Sequence, residues 1–215
     1  MTNKTMDYHS ILESAEAEQT EKRSRFIARI IPFSHPDKLD QVLQQVRKDY
    51  PGATHYCWAY LIRGENNLRE RYSDDGEPSG TAGLPILTVL KNSGLQDLMA
   101  VVVRYFGGTL LGTGGLVRAY TQAVQAALSN ASTVRYTCCR HFQITIDYQF
   151  YGFFERVLRR YVLQMDDIQF ASQVTIVGWI PLKWRDRFLF ELKEATAGQA
   201  VIELGEEAYI PDLSA

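Results

Sequence analysis

The feature that most constrains the fold is a glycine-rich segment that follows a nearly continuous apolar run. Residues 98–105 are apolar except for Arg104, which is typical of a strand that is buried on both faces. The next ten residues, 106–115, contain five glycines, and apolar residues then recur at helical spacing from Leu116 to Leu128. The pattern predicts a strand, a glycine loop and a helix in that order.

A glycine loop between a strand and a helix suits an anion, because the first amides of a helix have no intrahelical acceptor. Missing side chains also let another backbone approach closely. The spacing is not that of a P-loop, because Thr113 stands where a lysine is required. It is not the dinucleotide fingerprint either, because the third glycine is misplaced. An anion site and a tight connection with positive φ both remain open.

A second loop is rich in carboxylates. Asp74, Asp75 and Glu77 fall within four residues, and Pro78 to Gly83 follow them. Oxygen ligands suit Mg²⁺ or Ca²⁺, but the spacing is not that of an EF-hand. Carboxylates in a turn also accept backbone N–H bonds and cap the next helix, and this interpretation is favoured.

Arg104 stands at the end of the apolar strand, where an unpaired charge is costly to bury. It is expected either to pair with a loop carboxylate such as Asp74 or Asp75 or to face a ligand phosphate. Arg118 follows one turn into the next helix. Tyr105 and Phe106 add rings suited to stacking a base. His55 precedes these loops and is interpreted as a hydrogen-bonding residue more readily than as a general base.

Composition narrows the class of protein. The chain has 215 residues, of which 46 % are hydrophobic and 22 % charged, with a net charge of −2. These values exclude a collagen, a coiled-coil rod and a chain disordered throughout, and they argue against a strongly basic nucleic-acid coat. No membrane span or signal peptide is recognised, and the three cysteines lack a disulfide or metal-binding pattern. We therefore expect a cytoplasmic protein with reduced cysteines.

The pattern predicts an α+β protein of two domains, 1–135 and 136–215, joined by a small polar linker at 129–133. In the first domain it predicts strands at 24–33, 55–62, 68–72 and 98–105, and helices at 36–50, at 81–91 and after residue 115. In the second it predicts the ferredoxin-like order βαββαβ, with strands at 139–147, 167–171, 173–180 and 199–205 and helices at 149–163 and 182–196.

Three motifs in one order resemble the YigZ/Impact family. They are His55 followed by DDGEPSGTAGLP at 74–85, VVVRYFGG at 101–108 and LGTGGLVRAY at 111–120. The two-domain layout is similar to the bacterial YigZ-like branch across nearly the whole chain. The resemblance implies a first domain like the second domain of ribosomal protein S5. It implies a second domain like domain V of elongation factor G.

The resemblance also implies a role in regulating translation, with RNA, the ribosome or a translation-related protein as partner. It brings no established activity, no catalytic residue, no metal and no cofactor. The alternative is an enzyme that binds a small phosphorylated ligand or nucleotide at the glycine loop. The candidate binding surface carried over from the family motifs comprises His55, Asp74, Asp75, Glu77, Thr81, Arg104, Tyr105, Gly107, Gly108, Gly112, Gly114, Gly115 and Arg118.

Overall fold

The computed structural model describes residues 7–64 and 67–213. The chain divides into two compact units, one built mainly from Tyr8–Val134 and the other from Arg135 onward. Both units combine helices with antiparallel sheets, so the predicted α+β class is confirmed. That each unit folds as a separate domain, with the boundary near residue 135, stays a prediction.

The first unit consists of one antiparallel sheet with helices packed on both of its faces. In this sheet the strands lie in the order β2–β3–β6–β4–β5. A short 3-10 turn, Pro36–Lys38, leads into the first helix. The elements are β1 (Tyr8–Ile11), β2 (Ala15–Glu21), β3 (Ser24–Pro32), α1 (Leu39–Asp49), β4 (His55–Arg63), β5 (Leu68–Ser73), α2 (Gly83–Asn92), β6 (Leu98–Tyr105) and α3 (Thr113–Ser129).

The central strand β6 is buried on both faces, as its apolar run predicts. Ala100 and Val102 pack with the helices α2 and α3, whereas Met99, Val101 and Val103 pack with α1. Side chains alternate between the two faces of a strand, so Arg104 falls on the side of α2 and α3 and Tyr105 on the side of α1. This alternation decides which predicted site residues can meet.

In the second unit the strand order is that of a ferredoxin-like fold. The strands lie in the order β10–β7–β9–β8 and all pairs are antiparallel, which confirms the predicted βαββαβ arrangement. One core lies between this sheet and the two helices. The elements are β7 (Thr133–Ile146), α4 (Tyr148–Tyr161), β8 (Gln164–Phe170), β9 (Val174–Pro181), α5 (Leu182–Ala195) and β10 (Val201–Asp212).

The connection between α3 and β7 is shorter than the predicted linker at 129–133. Helix α3 includes Ser129, strand β7 begins at Thr133, and backbone bonds from Asn130 and Ala131 return to the last turn of the helix. Small polar residues in this stretch therefore form a tight helix end. Among the described residues, no helix has the length and apolarity that crossing a membrane requires.

Candidate functional site

Strand pairing brings the predicted site residues of β4 and β6 together. In the sheet Arg104 is the register partner of His55 on one side and of Phe26 on the other. Arg104 is only 4 % exposed. A buried guanidinium at this position needs a counter-charge, and the carboxylate loop that follows β5 supplies one.

Glu77 is the partner of Arg104. Nη1 of Arg104 lies 2.5 Å from Oε1 of Glu77, and Nη2 lies 3.3 Å from Oγ of Ser24. The rings of Phe26 and Phe106 lie 5.4 and 5.5 Å from the guanidinium carbon. Nε of Arg104 is buried and has no hydrogen-bond partner within the described part of the chain. Arg104 and Glu77 therefore form a buried ion pair rather than a charge presented to solvent.

A chain of polar groups extends from this ion pair into the core. The hydroxyl of Tyr120 donates to Oε1 of Glu77 at 2.8 Å, and Sγ of Cys57 lies 3.3 Å from that hydroxyl. Burial, with the charge of Glu77 adding to it, raises the pKa of Cys57 and the pKa of Tyr120 far above their ordinary values. Both groups are thus neutral and unreactive at physiological pH.

His55 lies at the edge of the same network. Its Nδ1 lies 2.8 Å from the carbonyl oxygen of Asp75, and its Nε2 lies 3.9 Å from Oε1 of Glu77. The first contact fixes the ring, and the second becomes an ion pair only when the imidazole is protonated. This agrees with the interpretation of His55 as a hydrogen-bonding residue.

The other two carboxylates of the loop accept backbone N–H bonds. Asp74 accepts bonds of 2.8 to 3.0 Å from the amides of Gly80, Ala82 and Gly83, and so caps the start of α2. Oδ2 of Asp75 accepts the amide of Tyr56 at 2.7 Å. Asp74 thus has the capping role that the turn residues favoured, whereas Asp75 joins the loop to strand β4.

Gly107 has a structural requirement of its own. A Cβ atom at Gly107 would lie 2.0 Å from the backbone carbon of Arg23, so only glycine fits against the turn between β2 and β3. Lys22 and Arg23 form that turn, both with positive φ, and both are exposed. The tight approach places this two-residue basic turn directly against the glycine loop.

Arg118 approaches the other end of the glycine loop. Gly112 precedes α3 with a φ of 73°, and the first backbone bond of the helix runs from Leu116 to Gly112. A Cβ atom at Gly114 would lie 3.7 Å from Nη1 of Arg118, so the exposed guanidinium lies back over the first helical turn. The amides of this turn, including those of Gly114 and Gly115, have no intrahelical acceptor.

The two aromatic residues after Arg104 lie in different surroundings. Tyr105 is partly buried with the core on the α1 side, and its hydroxyl lies 3.3 Å from the carbonyl oxygen of Pro51. Phe106 is 46 % exposed on the glycine loop, where Leu110 is 82 % exposed. Of the two predicted stacking rings, Phe106 is the one presented at this loop.

We use the term glycine-loop face for the surface formed by Lys22, Arg23, residues 106–115 and Arg118. Among the residues that the structure describes, none pairs with the charges of Lys22, Arg23 or Arg118. Thr81 is buried, and its hydroxyl donates to the carbonyl oxygen of Pro78, so it closes a turn in the segment between Glu77 and α2. The glycine-loop face therefore carries unpaired positive charge. Asp74, Asp75 and Glu77 instead have partners within the chain, and those of Asp75 include the exposed Arg47.

Sequence reasoning did not include Lys22 and Arg23 among the site residues, nor Cys57 and Tyr120 in the network. Lys22 and Arg23 are adjacent cations, but only the folded hairpin places them against Gly107. Cys57 and Tyr120 lie at positions that the apolar pattern assigns to the core. In the described ranges, no group of three or more His, Cys, Asp or Glu side chains is arranged to hold a metal ion.

Comparison with known proteins agrees with the motifs. The chain is 37 % identical over 203 residues to IMPACT family member YvyE of Bacillus subtilis (strain 168), covering 94 % of this chain and 93 % of that protein. Residues 22–128 match the Impact N-terminal domain. The chain belongs to the IMPACT family.

Two further relatives differ in how much of the chain they match. Protein IMPACT of Bos taurus is 35 % identical over 97 residues, which is 43 % of this chain and 30 % of that protein. A solved crystal structure of a hypothetical protein is similar over 96 % of this chain and 98 % of its own, with 30 % identity and a TM-score of 0.63. The match to the eukaryotic protein is therefore partial, whereas the solved structure resembles both units.

Proposed function

We propose that this chain is a translation-associated protein that binds RNA, free or within the ribosome, through the glycine-loop face. The observation that carries the proposal is the division of charge around the two loops. The carboxylates that would repel phosphate accept N–H bonds or pair with Arg104, whereas Lys22, Arg23 and Arg118 remain exposed. The association with translation follows from the family resemblance.

The arrangement suits a phosphate followed by an unpaired base. Arg118 supplies a planar guanidinium with paired donors, and the first turn of α3 adds neutral N–H donors beneath it. Phe106 supplies an exposed ring, and a base that stacks on such a ring gains about 1–3 kcal/mol. Arg104 has a different role, because it is buried: it holds the loop of Glu77 and the ring of Phe106 in place.

Co-sedimentation with ribosomes tests this function. We expect the wild-type chain to migrate with ribosomes at low salt, to be released by RNase, and to be released by high salt because the contacts are ionic. Arg118→Ala should reduce the ribosome-bound fraction several-fold. Arg69→Ala is the matched control, because it removes an exposed arginine from the edge strand β5.

The alternative, a small phosphorylated ligand at the same loop, gives a different result. A nucleotide that binds the folded chain raises its melting temperature. A melting shift with ATP or GTP, together with no sedimentation with ribosomes, would contradict the RNA proposal and support an enzyme.

A further inference from the structure

Charge is divided unequally between the two sides of the second unit. From residue 136 onward, helices α4 and α5 carry seven Lys and Arg residues against four Asp and Glu residues. The strands and loops of the same stretch carry one basic residue against seven acidic ones. The net charge of −3 over this stretch is therefore the sum of a basic layer of two helices and an acidic set of strands and loops.

The helical layer is also aromatic on its solvent side. Phe153 is 39 % exposed, Trp184 40 % and Phe190 65 %, although the core of this unit is already filled by Phe154 and Phe188. The guanidinium of Arg156 lies 5.7 Å from the centre of the Phe153 ring, and Nζ of Lys183 lies 5.9 Å from that of Trp184. On each of the two helices a cation thus lies beside an exposed ring.

Several of the arginines have carboxylate partners, but these pairs leave the layer basic. Arg159 pairs with Glu155, and both Arg160 and Arg187 pair with Glu191. Exposed ion pairs of this kind contribute about 0–1 kcal/mol to stability. An arginine can therefore leave its carboxylate partner and bind an RNA phosphate at little cost in free energy. Within the described residues, Arg156, Lys183 and Lys193 form no ion pair at all.

We infer that the outer surface of α4 and α5 is a second binding surface for single-stranded RNA, separate from the glycine-loop face. The inference rests on the proposed function for the identity of the ligand. Phosphates meet the unpaired cations, and bases stack on Phe153, Trp184 and Phe190, a combination that binds single strands without sequence preference. A membrane surface fits less well, because a helix that lies on a membrane separates an apolar face from a charged one. On α4 and α5 the rings and cations are interleaved instead.

The test is a binding titration of the full chain with oligouridine of about 40 nucleotides at several salt concentrations. Each phosphate contact with a single strand contributes about 0.7 to the slope of log K against log salt. Arg156→Ala/Lys183→Ala should therefore lower the steepness of that slope by about 1.4 and weaken binding about tenfold at low salt. Lys38→Ala/Lys48→Ala, which removes two exposed lysines at α1, should leave both unchanged.

Three other outcomes would overturn the inference. In the first, Arg156→Ala/Lys183→Ala binds as wild type while Arg118→Ala does not; the second RNA surface is then excluded and the proposed function stands. In the second, the wild-type chain binds no RNA at low salt, which contradicts the proposed function as well. In the third, the wild-type chain binds anionic vesicles containing phosphatidylserine. The double variant no longer binds these vesicles, whereas its binding to RNA is unchanged. This result assigns the layer to a membrane surface.

Discussion

Nη1 of Arg104 lies 2.5 Å from Oε1 of Glu77, and both side chains are buried beneath the two loops that the sequence marks as functional. The ion pair joins the end of the central strand to the loop before α2. The same carboxylate accepts a hydrogen bond from Tyr120 of α3. One buried carboxylate thus fixes three elements of the first unit relative to one another.

Breaking this pair should destabilise the first unit strongly. Glu77→Gln leaves the guanidinium of Arg104 buried without a counter-charge. Arg104→Met leaves the carboxylate of Glu77 buried without one. Each should lower the free energy of unfolding by about 3–5 kcal/mol. The double variant Glu77→Gln/Arg104→Met removes both charges and should lose less than the sum of the two single losses. Urea unfolding of the four chains measures this, and strictly additive losses would show that the pair is not coupled.

Gly107 and Gly108 give a matched pair of substitutions. Gly107→Ala places a methyl group against the backbone of Arg23 and should cost about 2 kcal/mol or more, because two backbones must separate. Gly108→Ala meets no atom within 4 Å and should cost about 1 kcal/mol from its positive φ alone. Thermal unfolding ranks the two variants. Equal losses would contradict the close approach of the hairpin turn to the glycine loop.

The stability of the fold should fall at alkaline pH. The folded pKa of Cys57 is raised, chiefly by burial, above its unfolded value of about 8.5, and that of Tyr120 above about 10. Above these values the folded chain keeps protons that the unfolded chain has lost. The free energy of unfolding then decreases by up to about 1.4 kcal/mol per pH unit for each group.

Chemical unfolding between about pH 8 and pH 11 measures this fall. The stabilisation from Cys57 is fully present below its unfolded pKa and is lost as the pH rises toward the folded one. Cys57→Ala should therefore show a shallower decline than the wild type over this interval. Iodoacetamide should also leave Cys57 unmodified until the chain unfolds. An identical pH profile for both chains, or rapid labelling of native Cys57, would show that the thiol is not held neutral by burial.

Much of the fold could be predicted because its elements follow their periodic patterns closely. The apolar run of β6 and the helical spacing of α1 and α3 agree with the structure, and so does the βαββαβ order of the second unit. Strand β2 was not predicted, because its sequence of alternating Ala and Glu has low β-propensity. It is an edge strand, held by its pairing with β3, and only its alanine side packs inward.

Strand β10 extends to Asp212, beyond the predicted end at residue 205. The register shifts between Leu204 and Glu207, where Gly205 packs against His141. A glycine and two glutamates in sequence indicate a strand end, but here they form a bulge and pairing resumes after it. Such a continuation depends on the neighbouring strand and is not visible in the local sequence.

The motifs that form the candidate site could be predicted from the sequence. Which of their residues pair with one another, and which stay exposed, could not. That Arg104 needs an anionic partner, either a loop carboxylate such as that of Asp74 or Asp75 or a ligand phosphate, follows from its place in an apolar strand. The choice of Glu77 over Asp74 or Asp75 depends on the conformation of the loop, because the two aspartates accept N–H bonds from Gly80, Gly83 and Tyr56 instead. The contribution of Lys22 and Arg23 required the tertiary contact at Gly107.

The most direct test of RNA binding by the glycine-loop face is the salt dependence of oligouridine binding by the full chain. Replacing Lys22, Arg23 and Arg118 by alanine removes three exposed cations, so the slope of log K against log salt should become less steep by about 2. Arg69→Ala should leave the slope unchanged. If the triple variant keeps the wild-type slope and affinity, the glycine-loop face does not bind RNA.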